Sequence, residues 1–180
     1  DLKTTYRLPP DFTRVSGFTL GAFTGYFRSR QSTKNIVFPY GEYTKHYVIG
    51  LTYSKVASIL EPGIFALDKL DEIPTPIRDL EIILQEKWRV ASDTPGSGNT
   101  KNIGSVKTLD ALRKGHSPFV ALGDEGEAIF DAYWSEYMTN DMARAARLPK
   151  PLFRNLREYL TYRNRADLLA KLDAAGESRT

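Results

Sequence analysis

Thirteen residues, Asp93 to Ser105, constrain this chain more than any other stretch. The run Asp93-Thr94-Pro95-Gly96-Ser97-Gly98-Asn99-Thr100-Lys101-Asn102-Ile103-Gly104-Ser105 holds three glycines, a proline, two asparagines and several hydroxyls, and it follows an apolar segment, Leu80 to Val90. Glycine alone enters left-handed backbone regions without steric cost, so the segment reads as a tight, irregular loop. A loop so rich in small polar groups is more often a binding loop than a connector. A phosphate cradle and a base-reading loop share this composition. The cradle fits poorly: a P-loop places Lys directly after its last glycine, and here Asn99 follows Gly98 while Lys101 comes later. A dinucleotide fingerprint needs a third glycine in register and a long helix after it, and neither follows Gly96-Ser97-Gly98. Direct readout is the alternative. Asn pairs in two places with an adenine edge, and Thr contacts a base edge or a thymine methyl.

At 180 residues, with 41% hydrophobic and 26% charged content, the chain reads as one globular domain with a sizeable core. It has no cysteine, which excludes disulfides and thiolate metal sites. Its two histidines, His46 and His116, are too few for a zinc centre. No apolar run approaches the roughly 20 residues of a membrane helix, and no signal peptide is visible, so the expected location is the cytoplasm and no membrane partner is expected. The chain opens at Asp1 inside what reads as a strand, and a fragment or trimmed chain is the expectation. The net charge of +3 is unevenly spread. Residues 1–60 hold eight basic and three acidic side chains, residues 121–141 six acidic and no basic ones, and residues 142–180 nine basic and four acidic. Two basic ends around an acidic middle point to a polyanion met by separate surfaces, although a patchy surface gives the same counts.

Along the chain, Asp1–Tyr6 alternates like a strand and Pro9-Pro10-Asp11 like a turn. Phe18–Arg30 has helical spacing weakened by Gly21 and Gly25. Asn35–Tyr40 reads as a short extended piece, and Tyr47–Val56 as a strand rich in aromatic and β-branched residues. Glu61-Pro62-Gly63 breaks the chain, and Asp68–Pro76 is an acidic connection. Leu80–Val90 reads as a single buried strand. Thr108–Lys114 is a helical turn stopped by Gly115, Glu125–Tyr137 an amphipathic helix, and Leu148–Thr180 one or two basic helices. Trp88 and Trp134 read as core, and His46 as structural. Glu86 reads as solvated or bracing the glycine loop. Arg144 and the arginines after it could follow phosphates or cover a solvated helix face.

The strand at Asp1 carries a second motif. Asp1 and Lys3 would share one face of a strand, with Leu2 in the core. A carboxylate can hold Mg²⁺ through oxygen, and a neighbouring ammonium can stabilise charge on a phosphoryl group. A lone D-x-K is weak, but it does not stand alone. Asp1-Leu2-Lys3-Thr4-Thr5-Tyr6, Phe18-Thr19-Leu20-Gly21, Thr33-Lys34-Asn35-Ile36-Val37, Tyr47–Ala57, Leu84-Gln85-Glu86-Lys87-Trp88, Gly96-Ser97-Gly98-Asn99-Thr100, Asn102-Ile103-Gly104-Ser105, Phe130-Asp131 and Tyr133-Trp134 together resemble, in order, segments of the EcoRV-like type II restriction endonucleases. The resemblance runs from Asp1 to about Tyr137.

That resemblance implies an α/β fold, a restriction-endonuclease-like mixed β-sheet flanked by helices and truncated at the N-terminus. Residues 1–140 would form the C-terminal part of a catalytic and DNA-recognition domain, and 141–180 a basic helical tail. It implies Asp1 as a Mg²⁺ ligand and Lys3 as the lysine near the attacked phosphate. Gly96, Ser97, Gly98, Asn99, Thr100, Lys101 and Asn102 would form the loop that enters the major groove, with Asn99, Thr100 and Asn102 facing bases or fixing the loop. Thr4, Thr5 and Lys34 would lie near the DNA backbone. The implied partners are double-stranded DNA and a second copy of the complete protein, in a bacterial cytoplasm, with cutting at a short palindrome for which the resemblance suggests GATATC. There are departures. Lys101 replaces the family's residue, Gly25 replaces a hydroxyl residue, and the Pro-Asp half of the nuclease signature does not precede Asp1. A DNA-binding remnant without cleavage therefore remains an alternative, with a nucleotide-phosphate-binding enzyme a further one.

Overall fold

The computed structural model describes residues 1–31, 37–56, 63–73, 75–96 and 101–177. Two small sheets share one core. The first, a mixed sheet, has the strand order β2-β1-β4-β5, from β1 (Leu2–Leu8), β2 (Arg14–Val15), β4 (Tyr47–Lys55) and β5 (Ile77–Glu86). Strands β1 and β4 run parallel, in register from Leu2↔Ile49 to Tyr6↔Tyr53, and β4 and β5 run antiparallel. The second sheet, order β3-β7-β6, is antiparallel and joins β3 (Thr19–Ala22), β6 (Ala91–Pro95) and β7 (Asn102–Ser105).

The single strand expected at Leu80–Val90 is two elements. β5 ends at Glu86, one helical turn, α1 (Lys87–Val90), follows, and β6 starts at Ala91. The turn carries the chain from the first sheet to the second. The helix expected at Phe18–Arg30 is β3 followed by a π-helical turn, Thr24–Ser29. Gly21 explains the shortfall: its φ of +96° does not occur in a right-handed helix. The extended piece at Asn35–Tyr40 falls partly outside the described residues, and its described end leads into a 3₁₀ turn, Tyr40–Glu42.

Helix α2 (Leu109–Lys114) forms where expected. The Thr108 hydroxyl accepts from the Ala111 N–H, and Gly115 ends the helix at φ +65°. Helix α3 (Gly126–Glu136) buries Phe130, Tyr133 and Trp134. After α4 (Asn140–Ala145), the basic end forms two helices, α5 (Leu156–Tyr162) and α6 (Ala166–Glu177). These helices are not a loose appendage: Phe153, Leu156, Tyr159, Leu160 and Leu168 enter the same core cluster as Leu20, Ile103 and Trp134. Tyr133 meets Trp134, Phe119 and Tyr159 edge-on, at centroid separations of 5.1, 5.6 and 5.3 Å. Such pairs each add roughly 0.5–1.5 kcal/mol beyond area burial.

One expectation about the first strand is overturned. Leu2 is 68% exposed, while Thr5 is buried. The pairing Lys3↔Gly50 and Thr5↔Thr52 ties the odd-numbered residues of β1 to the inward residues of β4, Val48, Gly50, Thr52 and Ser54. Leu2 therefore lies on the outer face with Ile49, Ile82 and Leu84, all exposed.

Adding a Cβ at Gly21 would place it 2.0 Å from the Tyr26 ring at a positive φ. Gly21→Ala is expected to cost about 2 kcal/mol or more in urea unfolding. Gly176→Ala in α6, with nothing within 4 Å of the new methyl, should be neutral or stabilising by about 0.5–1 kcal/mol.

Candidate functional site

Two places converge the polar residues singled out above: the start of β1, and the hairpin that β6 and β7 make.

At the start of β1, Asp1 is bound to β4 on both sides of its α-carbon. Its backbone nitrogen donates to the Tyr47 carbonyl (2.8 Å), and its carbonyl accepts from Ile49 N–H (2.8 Å). The side chain then projects on the inward face with Lys3 and Thr5, because the strand period is two. Opposite it stands Lys87, the first residue of α1. Lys87 Nζ lies 3.0 Å from Asp1 Oδ2, donates to the Tyr40 hydroxyl at 3.3 Å, and sits 5.2 and 4.9 Å from the ring centres of Tyr26 and Tyr40. Those two rings stack at 4.6 Å, and Tyr40 stacks on His46 at 3.9 Å. Lys87 is 3% exposed. The residues around it frame an open pocket of about 260 Å³, lined among others by Asp1, Tyr43, Lys45 and His46.

The charges here disturb one another. Burial pushes the Lys87 ammonium down to about 7, and repulsion from Lys3 adds to the fall. Burial lowers Lys3 as well. His46 falls to about 4, through burial first and then the Lys87 charge. Asp131, on α3, is raised by its own burial. Glu86 braces its neighbourhood rather than the glycine loop, accepting from Trp88 Nε1 at 3.1 Å and pairing with Lys45 at 3.4 Å.

The described parts of the glycine-rich stretch belong to the antiparallel pair β6 and β7, which form a β-hairpin. The glycines at its base serve close approach. A Cβ on Gly96 would meet Thr19 Cγ2 at 2.7 Å, and one on Gly104 would meet the Thr94 carbonyl at 2.9 Å. Gly96 N–H donates to Asn102 O at 2.9 Å, Asn102 pairs with Ala22, and the Lys101 carbonyl accepts from Phe23 N–H at 2.9 Å. Lys101 itself is exposed. Ser97, Gly98, Asn99, Thr100 and Lys34 lie outside the described residues.

The remaining residues separate. Thr4 is exposed on the outer face; Thr5 is buried on the inner one, its hydroxyl without a partner among the described residues. Arg144 is exposed and 3.6 Å from Asp141. Further along, Arg157 pairs with Asp173, Arg163 with Glu136, and Arg165 with Glu125 and Asp167. Most of these basic groups already have acidic partners. Lys87 went unrecognised in the sequence, although strand parity offered a clue: Ile83, Gln85 and residue 87 fall on the inward side of β5, where Lys3 also points.

Among the described residues no group of three His, Cys, Asp or Glu side chains comes together to hold a metal. A hard cation held by one carboxylate, water and substrate phosphate oxygens is compatible with Asp1; a cage of several protein ligands is not.

The mixed sheet, its D-x-K strand turned inward and the glycine-based hairpin of the second sheet define a restriction-endonuclease-like α/β domain. A family model described as "Restriction endonuclease EcoRV" matches residues 1–164, and the chain belongs to that family. It is 36% identical over 166 residues to the type II restriction enzyme EcoRV of Escherichia coli. That alignment covers 88% of this chain and 60% of the relative, so the chain spans less than two thirds of the relative's length.

His46 supplies a pH test. Its folded value of about 4 lies below the ordinary 6.5, so the unfolded chain takes up the proton first. Its contribution to stability is complete above about 6.5 and is lost as pH falls from there toward 4. Thermal unfolding across that window should show a loss that His46→Gln flattens.

Proposed function

We propose that this chain carries the DNA-reading hairpin and the D-x-K strand of a type II restriction endonuclease, which hydrolyses one phosphodiester in each strand of duplex DNA at a short palindrome. The observation that carries the proposal is the placement of Asp1 and Lys3 together on the inward face of β1, in a chain of the EcoRV family. Asp1 would hold the divalent cation, Mg²⁺, through carboxylate oxygen. When bound, that cation supplies Lewis-acid polarisation of the phosphate and a more acidic water. Lys3, whose ammonium holds its proton less tightly because of burial, would stand beside the attacked phosphate and offset the charge that grows on it. A second acid would complete the metal's surroundings from outside the described residues.

The hairpin would read base edges in the major groove, Asn99, Thr100 and Asn102 reaching from a base made stiff by the Gly96–Gly104 contact. Lys101, Thr5, Lys34 and Arg144 would meet phosphates, and these contacts set affinity rather than sequence. Thr5 would need its inner face opened to do so. A palindromic site mirrors a two-fold axis, so two copies would act together, and GATATC is the proposed sequence. Residues 1–140 would serve recognition and catalysis, and the helices after Asn140 would back them.

The test uses a protein containing this chain. Lys3→Ala should lower Mg²⁺-dependent cleavage by about 100-fold or more while DNA binding in Ca²⁺ holds; unimpaired cleavage would remove Lys3 from the site. Asn99→Ala should lose discrimination at one base pair by about 1–3 kcal/mol in competition binding. An equal loss on every sequence would make the hairpin a backbone clamp.

A further inference from the structure

We infer that Lys87 is a positioning residue for the Asp1 carboxylate and its counter-ion whenever no divalent cation is bound there. The inference rests on the assignment of Asp1 as the metal-holding carboxylate.

Lysine is almost never fully buried without a partner, and a buried charge survives only when it is paired and hydrogen-bonded. Lys87 meets both conditions at one place. Its backbone N–H donates to His46 O at 2.7 Å, which fixes where the side chain starts. The ammonium lies 5.2 and 4.9 Å from the ring centres of Tyr26 and Tyr40, which stack on each other, and it donates a hydrogen bond to the Tyr40 hydroxyl. Asp1 Oδ2, at 3.0 Å, is the carboxylate that receives the charge. One carboxylate oxygen is thereby fixed, while Oδ1 has no partner among the described residues, on a residue that lines the open pocket. Lys87 therefore sets the orientation of Asp1. It also places a positive charge where a divalent cation would have to bind, so cation and ammonium compete for one carboxylate. A lysine that only stabilised the fold would leave cation affinity unchanged when removed.

Mn²⁺ binding to a protein containing this chain, followed below neutrality by the spin-resonance signal of the free ion, separates the two roles. Lys87→Met should bind Mn²⁺ about tenfold more tightly than wild type, the effect of deleting a unit charge a few ångströms from a divalent ion. Lys87→Arg, which keeps the charge, should stay within about twofold. Asp1→Asn should lose binding in either background. Unchanged or weaker binding by Lys87→Met, with Asp1→Asn still abolishing it, overturns the role of Lys87 alone. Binding that survives Asp1→Asn overturns the assignment of Asp1, and the inference with it. Lys87→Gln serves if circular dichroism shows that Lys87→Met does not fold. The wild-type chain gives an independent reading: with ¹⁵N-labelled lysine, saturable movement of the Lys87 side-chain signal on adding Mg²⁺ supports the inference, and a signal that stays still overturns it.

Discussion

The alignment of β1 on β4 is the constraint on which the rest of the molecule depends. Lys3 lies against Gly50 and Thr5 against Thr52, and from those pairs the direction of every side chain at the start of β1 follows. A slip of one residue would send Asp1 and Lys3 outward beside Ile49 and Ile82, and bring Leu2 and Thr4 inward. The backbone guards against that slip at its weakest point, the strand end, where Tyr47 and Ile49 grip both sides of Asp1.

The inward turn of β1 puts charge where the core would otherwise be apolar. Two ammoniums, Lys3 and Lys87, share the region with the carboxylates of Asp1 and Asp131, and the aromatic rings of Tyr26 and Tyr40 make it tolerable by presenting their faces to Lys87. One consequence is a Lys87 that titrates near neutrality and a His46 that resists protonation. The same face carries Thr5 and Thr52, buried hydroxyls without partners among the described residues. This face is held ready for polar chemistry at some cost to packing.

Much of this was legible in advance, for physical reasons that also mark the limit. Helices α2 and α3 announced themselves through a terminal glycine and an apolar stripe, both local signals. The strand pair β1 and β4 was visible in its β-branched and aromatic content. What could not be read was long-range: which face of β1 looks inward depends on its partner, so Leu2 was placed on the wrong side. The bend at Lys87 was hidden because Trp88, Arg89 and Val90 alternate apolar and charged residues as a strand does. The glycines of the hairpin were legible as necessary, but the reason is contact: Gly104 against the Thr94 carbonyl across the hairpin, and Gly96 against Thr19, far away in the sequence. The D-x-K pair gained meaning from its neighbours along the chain, whereas Lys87, distant in sequence, offers only a clue of strand parity until β4 and β5 are laid side by side.

One small contact links the two ends of the molecule. At the root of the hairpin, the Asp93 carbonyl accepts from the Tyr133 hydroxyl at 2.5 Å and its carboxylate accepts from Leu156 N–H at 3.0 Å. One residue of β6 is thus pinned to α3 by its backbone and to the first turn of α5 by its side chain. The late helices act as a splint: a load on β6 passes through Asp93 into their packed aromatic rings, so the stiffness of the hairpin's base is owed in part to residues some sixty positions downstream.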